Sequence, residues 1–441
     1  MRTPHDIARS ASASAGTPKS EPVAFFREVA SRHPRCFWLD GGGARDWSGR
    51  RSIIGWLEPD DVSLSFDAAR REVTRHAGDA STVVGDDPFT ALAAELAGGH
   101  SAELGADRGA DQWFGYFGYA CRPDLPARPG GPVPDAVWMR PRHVRLFDHE
   151  RVEISASSTP LREPDPTAVG PVETYRAAFD RVQEHLHAGN SYEVNLTYRD
   201  TITDDRDPAD AYLRLRALNP APYAGFLQHD VAGARGWLLS SSPERYALIT
   251  ADRVLETKPI KGTTPRGATP EEDDAHRASL EQDPRFRAEN LMIVDLLRND
   301  VSMVCEPGTV EVPSLMTVES YENVHQLVST VRGRLRGDVA TVDALRALFP
   351  AGSMTGDPKL RTMQIITEVE PTPRSAYAGA FGWVAADGRA DLGVVIRSLF
   401  TGGDGRWTLG TGGGITVQSS AVEEYAESAW KADRLRAVFE D

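Results

Sequence analysis

The second half of the sequence alternates between amphipathic helical segments and short strand-like runs, and this alternation limits the folds open to the chain more than any other feature. Residues 172–190 place apolar side chains at helical spacing and end on Gly-Asn, and the strand-like run SYEVNLTYRDTI follows directly. Two more helical segments, residues 283–300 and 359–370, also lie between strand-like runs. Because the strands have hairpin-like spacing, we expect an α+β fold with large antiparallel sheets and not a doubly wound parallel sheet.

The first part of the chain has a different pattern. Residues 23–156 contain short runs rich in aromatic and β-branched residues, punctuated by glycine, which predict strands. A polar, proline-rich linker is predicted at residues 157–171, followed by the region 172–441 that carries most of the candidate site residues. Residues 1–22 are rich in Ala, Ser and Pro and lack the apolar segment of a secretory signal, so we expect a disordered tail.

Composition excludes several classes of protein. No apolar run approaches the roughly 18 residues that cross a bilayer, so we expect no membrane association. The net charge of −15 disfavours nucleic acid as a partner, because no basic surface would release counterions from phosphates. Three widely spaced cysteines (Cys36, Cys121 and Cys305) argue against a disulfide framework and fit a reducing, cytoplasmic location.

Two helical segments carry glutamates that could be either structural residues or ligands of a cation. Ser420, three residues before Glu423, predicts a capping box that accounts for Glu423. Glu424 and Glu427 share a helical face, either as a solvated acidic first turn or as cation ligands. Glu289 precedes a nearly continuous apolar run, so its helix must be largely buried, where an unpaired carboxylate is costly. Glu289 and Glu427 would suit a hard cation such as Mg²⁺, although their spacing in the sequence does not show whether the two helices are in contact.

Three further features leave their roles open. Gly412, Gly413 and Gly414 let a ligand approach the backbone N–H groups, as a carboxylate would, or mark a bend or bulge in a strand. Arg397 interrupts the apolar run VVIRSLF and either reaches solvent at a sheet edge or binds a carboxylate. Lys261, in TKPIKGT, is a solvated loop charge, a clamp for an anion, or a nucleophile made reactive by burial.

Taken in order, several motifs resemble those of the chorismate-utilising enzymes. The motifs are SSSPERY, TKPIKGTTPRG, RAENLMIVDLLRND, HQLVSTVRG, FPAGSMTGDPK, VVIRS and GTGGGI followed by EEYAES. The family includes anthranilate synthase component I, aminodeoxychorismate synthase component I, isochorismate synthases and salicylate synthases. The resemblance is close from about residue 172 onward and looser over residues 25–150. It implies one α+β unit of two large antiparallel sheets packed together, with helices outside and the active site between the sheets.

The resemblance also implies roles for individual residues. Glu289 and Glu427, with Glu424 beside them, would hold a Mg²⁺ that binds the ring carboxylate of chorismate. Arg397 and the N–H groups of the three glycines would bind the enolpyruvyl carboxylate, and Glu244 would be the general acid for the leaving hydroxyl. Further substrate contacts are implied at Thr263, Lys431, Trp383, His325, Gln326 and Glu193.

At some of these positions the chain departs from the family pattern. The histidine that usually precedes LVS is Gln326 here, with His325 one residue earlier. Trp383 stands where a tyrosine is often found, so we expect one contact to the enolpyruvyl carboxylate to be lost. Phe286 replaces an acidic residue near the metal glutamate. Isochorismate and salicylate synthases use a lysine to activate water where this chain has Glu193, which argues against water as the nucleophile.

Lys261 separates the branches of the family. Aminodeoxychorismate synthases resemble this chain in reading PIKGT, whereas anthranilate synthases read PIAGT. The resemblance implies that Lys261 adds to C2 of chorismate as the hydroxyl leaves C4, and that ammonia then enters at C4 to give 4-amino-4-deoxychorismate, a precursor of p-aminobenzoate. The amine must be neutral to attack, and we expect desolvation by Pro259 and Ile260 to lower the pKa of Lys261.

The source of ammonia is expected to be a partner. The sequence contains no Gly-x-Cys-x-Gly motif of a glutaminase, so we expect a separate glutamine amidotransferase subunit. Two alternatives remain: an enzyme that makes anthranilate or 2-amino-2-deoxyisochorismate, and a non-catalytic homologue that only binds.

Overall fold

The computed structural model describes five stretches of the chain: residues 21–43, 51–98, 111–149, 170–321 and 324–440. The predicted tail and the predicted linker lie almost wholly outside these residues.

Within the described residues the chain forms nine helices and 21 strands. The helices are α1 (Glu21–Arg32), α2 (Pro88–Gly98), α3 (Glu173–His187), α4 (Pro208–Leu218), α5 (Pro270–Gln282), α6 (Pro284–Ser302), α7 (Thr341–Leu348), α8 (Lys359–Val369) and α9 (Ala421–Arg436). The strands of the first part are β1 (Arg35–Asp40), β2 (Arg51–Trp56), β3 (Ser63–Asp67), β4 (Glu72–Ala77), β5 (Ala80–Gly85), β6 (Gln112–Phe117), β7 (Ala136–Met139) and β8 (His143–Asp148). The remaining strands are β9 (Glu193–Thr203), β10 (Tyr223–His229), β11 (Gly236–Ser242), β12 (Arg245–Ile249), β13 (Val254–Lys258), β14 (Ile260–Pro265), β15 (Glu311–Ser320), β16 (Val324–Arg334), β17 (Gly356–Asp357), β18 (Ala380–Ala385), β19 (Ala390–Val394), β20 (Ser398–Thr401) and β21 (Arg406–Ile415).

These strands form two sheets in which neighbouring strands run antiparallel. Sheet A has nine strands in the order β17-β9-β21-β20-β11-β10-β1-β2-β8. Sheet B has twelve, in the order β14-β16-β13-β12-β19-β18-β6-β7-β3-β4-β5, with β15 paired to β16. The first part of the chain therefore belongs to both sheets, because β1 pairs with β10 and β6 pairs with β18.

The two sheets pack face to face. The Phe37 ring of β1 stacks on the Phe114 ring of β6, with centroids 4.1 Å apart. The approach is close at Gly225 of β10, where a Cβ would lie 2.5 Å from the ring of Phe381 in β18. Side chains from both sheets form one large core between them. The predicted α+β class, with two antiparallel sheets packed together, is confirmed.

Helices cover the outer surfaces. Phe26 of α1, Tyr212 of α4 and Leu435 of α9 belong to a second core on sheet A. Tyr175 of α3 and Ile365 of α8 pack beside β9 in a third. The strand-rich pattern of the first part did not predict α1 or α2. Among the described helices, none combines the length and apolar character needed to cross a membrane.

Candidate active site

A cavity of about 120 Å³ lies where the C-terminal parts of the two sheets meet. It brings together β9, β14, β16 and β21 with helices α6 and α9. The sequence alone could not predict that these elements meet. Most of the candidate residues line it: Glu244, Lys261, Thr263, Glu289, Gln326, Arg397, Gly412, Gly413, Gly414, Glu424, Glu427 and Lys431.

Three predicted substrate contacts do not line the cavity: Glu193, whose carboxylate accepts a hydrogen bond from Lys261, and His325 and Trp383, for which the structure does not support that role. His325 is buried and hydrogen-bonded to Ser320 Oγ (2.8 Å) and Asp273 Oδ1 (2.9 Å). Because successive side chains of a strand point to opposite faces, Gln326 faces the cavity from β16 and His325 faces away. Trp383 packs against the core in β18, between β6 and β19.

Tyr377 supplies an aromatic hydroxyl that the sequence reasoning missed. It lines the cavity and is buried. It also lies near Arg397, whose pKa is lowered by burial and raised in part by Tyr377. Tyr377 is therefore a candidate for the substrate contact that Trp383 was expected to lose. The signal was a tyrosine in the same run, AYAGAFGW, six residues earlier.

Hydrogen bonds to the backbone of Arg397 hold this residue in an unusual conformation. Its φ of 50° lies in the left-handed region, and its carbonyl accepts hydrogen bonds from Ser241 N (3.1 Å) and Ser241 Oγ (2.7 Å). A non-glycine residue in this region is strained and needs such support. Its guanidinium has no carboxylate partner among the described residues, so its charge is available to an anion in the cavity.

The register of β21 and β9 shows which glycine N–H groups face the cavity. Gly412 pairs with Thr197 and Gly414 with Asn195. The N–H of Thr197 donates to Glu370 Oε1 (2.8 Å) and the N–H of Asn195 to the Thr355 carbonyl (2.9 Å), so neither bonds to β21. These are non-hydrogen-bonded pairs, in which the backbone groups of the facing residue point away from the partner strand.

Gly412 and Gly414 therefore present their N–H groups on the edge of β21 away from β9. Pairing with β20 on that edge ends at Leu409, so no described strand takes up these donors. Gly413, between them, is the hydrogen-bonded pair with Leu196. Of the three N–H groups expected to bind an anion, the register therefore leaves two, those of Gly412 and Gly414, available to do so.

Glu244 lies just ahead of β12 with 5% of its surface exposed. Burial raises its pKa to about 7, although a hydrogen bond from Ser353 Oγ (2.6 Å) to Oε1 and the charge of Lys261 oppose the shift. A carboxyl group with this pKa is protonated in a large fraction of molecules near neutral pH, as a general acid requires. Ser353 was not predicted; it lies in FPAGSMTGDPK, whose motif gave no role for it.

Glu289 enters the cavity from the first turns of α6. This helix begins at Pro284 because Asp283 Oδ1 accepts the N–H of Arg285 (2.8 Å), and it then runs through the core beside β16. Burial raises the pKa of Glu289 to about 7, against the opposing charge of Lys261.

Glu424 and Glu427 enter the same cavity from α9. Glu424 is buried, so its solvated interpretation is wrong. Burial and the charge of Glu427 raise the pKa of Glu424 to about 7, while Ser419 Oγ donates to its Oε1 (2.8 Å). The helix does begin after Ser420, but the side chain of Ser420 makes no capping hydrogen bond, so the predicted capping box is also wrong.

Lys431 lies one helical turn after Glu427 in α9 and forms an ion pair with it. Its Nζ lies 2.7 Å from Glu427 Oε1 and donates to the Gly412 carbonyl (3.2 Å). Burial raises the pKa of Glu427, but Lys431, Arg285 and Lys261 together lower it by more, so it lies below its ordinary value. With Glu427 held by Lys431 and Glu424 by Ser419, no three acidic, His or Cys side chains in the described part of the chain already form a metal-ligating cluster.

The three glutamates nevertheless fit a hard cation in chemistry and charge. Glu289, Glu424 and Glu427 offer only oxygen donors, as Mg²⁺ prefers. Two of them have pKa values raised by burial and mutual repulsion, which a bound cation would relieve.

Lys261 extends from β14 and is nearly inaccessible to solvent, so a solvated loop charge is excluded. Its Nζ donates to Glu193 Oε1. Burial lowers the pKa of Lys261, but Glu193, Glu289 and Glu244 raise it by more, and the pKa lies above its ordinary value. The expectation that desolvation by neighbouring apolar residues lowers this pKa is wrong, because the sequence did not show the carboxylates around the amine.

Comparisons with known proteins agree with this arrangement. A family model described as chorismate binding enzyme matches residues 162–437. Two relatives are called aminodeoxychorismate synthase: one from Streptomyces pristinaespiralis is 37% identical over 94% of this chain, and one from Streptomyces griseus is 38% identical over 97%. The chain spans only 63% and 66% of the lengths of these two relatives.

A solved structure has the same fold. Anthranilate synthase component I from Streptococcus pneumoniae superposes with a TM-score of 0.70 at 25% sequence identity, covering 89% of this chain and 93% of that one. The shared fold therefore extends across both sheets.

Proposed function

Because this chain belongs to the chorismate binding enzyme family, we propose that it is the synthase component that converts chorismate and ammonia to 4-amino-4-deoxychorismate. The observation that carries the proposal is a lysine, Lys261, buried in a cavity that also holds a carboxyl group poised as an acid and an unpaired guanidinium. A protein that only bound chorismate would gain nothing from a buried amine beside a carboxyl group with a pKa near 7.

Two sets of groups would orient the substrate. Arg397, the N–H groups of Gly412 and Gly414, and the Tyr377 hydroxyl are suited to the enolpyruvyl carboxylate. The ring carboxylate would face the glutamates of α6 and α9.

Mg²⁺ would be held by Glu289, Glu427 and Glu424, and when bound it would neutralise the ring carboxylate and draw electron density from the ring. In its absence Lys431 is the counter-charge of Glu427. Lys431, Thr263 and Gln326, whose buried Oε1 has no hydrogen-bond partner among the described residues, would be further polar contacts to the substrate.

In the reaction, Glu244 would protonate the C4 hydroxyl as it leaves, and Lys261 would form the bond to C2. Ammonia would then enter at C4 and release Lys261. Lys261 is the residue that favours this regiochemistry over the 2-amino products, anthranilate and 2-amino-2-deoxyisochorismate. We also propose that a separate glutamine amidotransferase subunit supplies the ammonia and that the enzyme works in the cytoplasm.

The test is product identification. The purified chain is incubated with chorismate, Mg²⁺ and ammonium, and the product is analysed by mass spectrometry with and without an aminodeoxychorismate lyase. We expect 4-amino-4-deoxychorismate, converted to p-aminobenzoate by the lyase, and no product from Lys261→Ala. Anthranilate as the sole product would overturn the proposal, and full activity of Lys261→Ala would overturn the covalent role. Activity with glutamine only after addition of the amidotransferase would support the partner.

A further inference from the structure

Glu193 is a buried carboxylate that has no role in the reaction proposed above. It is the first residue of β9 and has no exposed surface. Its Oε1 accepts the hydrogen bond from Lys261 Nζ, and its Oε2 is buried without a hydrogen-bond partner among the described residues. An ionised carboxylate removed from water and held by one donor is costly, because half of its acceptors are unsatisfied.

We propose that Glu193 is the base that takes the proton from the Lys261 ammonium, so that the neutral amine can attack the substrate, and that it returns the proton when Lys261 is released. This inference rests on the proposed function and adds a catalytic residue to it. Glu193 contacts the reacting nitrogen itself.

The balance of charge favours a direct proton transfer from Lys261 to Glu193. Lys261 must lose a proton before it attacks, and loss to solvent would leave a buried carboxylate without its counter-charge. Transfer along the existing hydrogen bond turns the ion pair into two neutral groups and leaves the net charge of the pair at zero. For a carboxylate with no exposed surface this is the less costly route.

Two features hold the pair in place. Gly414 of β21 lies against it, and a Cβ there would overlap Glu193 Oε1 and lie 2.9 Å from Lys261 Nζ. The other charged groups that act on Lys261 are Glu289 from α6 and Glu244 ahead of β12, and Lys261 in turn acts on Glu427 of α9. Only Glu193 makes a hydrogen bond to the amine, so among these acids it alone is placed to accept the proton directly.

The proton balance closes without an added reagent. Glu193 receives one proton from Lys261, the nitrogen–C2 bond forms, and the C4–O bond breaks as Glu244 gives its proton to the departing hydroxyl, which leaves as water. Ammonia then bonds to C4, the nitrogen–C2 bond breaks, and Lys261 leaves as a neutral amine. The new ammonium group at C4 returns a proton to Glu244, and Glu193 returns its proton to Lys261.

The first experiment compares the wild-type protein with Glu193→Gln, which keeps the shape and an acceptor oxygen but cannot take the proton. With free ammonia held constant, we expect kcat/KM for chorismate to fall about a hundredfold or more at pH 7. We also expect the wild-type value to be level below pH 7, whereas that of the variant rises about tenfold per pH unit because solvent must remove the proton. Asp357→Asn is the matched control: Asp357 pairs with Glu193 across β17 and β9, but Lys261 Nζ donates to Glu193 and not to Asp357, so the wild-type profile should persist.

A role as a simple counter-ion predicts the opposite result. Removing the Glu193 charge would lower the pKa of Lys261, increase the neutral amine and leave kcat/KM unchanged or higher. Either of those outcomes would overturn the proposal. If Glu193→Gln does not fold, Glu193→Asp carries the test, since it keeps the charge but withdraws the oxygen from Lys261; base action predicts a large fall in kcat/KM, and a counter-ion predicts little change.

A second measurement does not depend on chorismate chemistry. The rate at which acetic anhydride labels Lys261 at pH 7 is followed by mass spectrometry of the intact protein and its peptides. Base action predicts faster labelling in the wild type than in Glu193→Gln, and a counter-ion predicts slower labelling. If the wild type makes no aminodeoxychorismate, the proposed function fails and this measurement still decides whether Glu193 accepts the proton.

Discussion

Glu289 makes the metal-free protein less stable as the pH rises, and this can be measured by replacing it with glutamine. Its pKa is about 7 in the folded protein against an ordinary value of 4.5, chiefly because of burial. The folded state therefore binds more protons than the unfolded chain between these two values, and the free energy of unfolding falls as the pH rises through that window. At about 1.4 kcal/mol per pKa unit, the full effect is about 3 kcal/mol.

Glu289→Gln should remove this loss, since its amide does not ionise. The free energy of unfolding of the variant should exceed that of the wild type by under about 1 kcal/mol at pH 5 and by about 3 kcal/mol at pH 8. The assay is urea unfolding followed by tryptophan fluorescence in the presence of EDTA, from pH 5 to 8.5. Glu281→Gln, at an exposed position near the end of α5, is the control and should change stability by less than about 0.5 kcal/mol at every pH.

Adding Mg²⁺ should narrow this difference. A ligand at a hundred times its dissociation constant stabilises the folded protein by about 2.7 kcal/mol, and the variant should gain less because it has lost one carboxylate. A difference between variant and wild type that stays constant from pH 5 to 8.5 would refute the reasoning, because it would mean that Glu289 has an ordinary pKa in the folded protein.

Three further substitutions test other parts of the site. Ser353→Ala removes the donor to the Glu244 carboxylate, a hydrogen bond to a charged group worth about 1.5–3 kcal/mol, so the pKa of Glu244 should rise further and the alkaline limb of the pH–kcat profile should move up by about 1–2 pH units. Gly414→Ala places a methyl group on the buried ion pair and should lower kcat by about tenfold or more; Gly85→Ala, with open space around the new Cβ, should leave kcat unchanged, and equal effects would contradict the crowding argument. Tyr377→Phe should raise KM for chorismate by about tenfold with little change in kcat, since the loss of one hydrogen bond to the substrate costs about 1 kcal/mol or more; an unchanged KM would remove Tyr377 from the substrate contacts.

Periodicity in the sequence predicted the elements that carry the site. The buried helix α6 follows from an apolar run behind Glu289, and the strand β21 from the strand-like residues on either side of its glycines. These signals are local, so they depend only on the spacing of neighbouring residues. The meeting of α6 with α9 in one cavity is a tertiary contact that leaves no such trace.

The errors at individual residues have the same origin. The choice between His325 and Gln326 depends on which face of β16 each side chain points to, and a displacement of one residue along a strand exchanges the two faces. The pKa of Lys261 depends on carboxylates from β9, α6 and the residue ahead of β12, distant in sequence, whereas Pro259 and Ile260 are merely adjacent. Sequence neighbours predicted burial correctly and the electrostatic result wrongly.

The shared sheets set a limit on how this protein can be divided. A fragment that began near residue 170 would keep all of the residues that line the cavity but would lose β1 and β6. Sheet A would then end at β10 and sheet B at β18, each with a row of unpaired backbone donors and acceptors over an apolar face. Such edges are templates for strand addition between molecules, and the fragment would assemble into aggregates before it could be assayed.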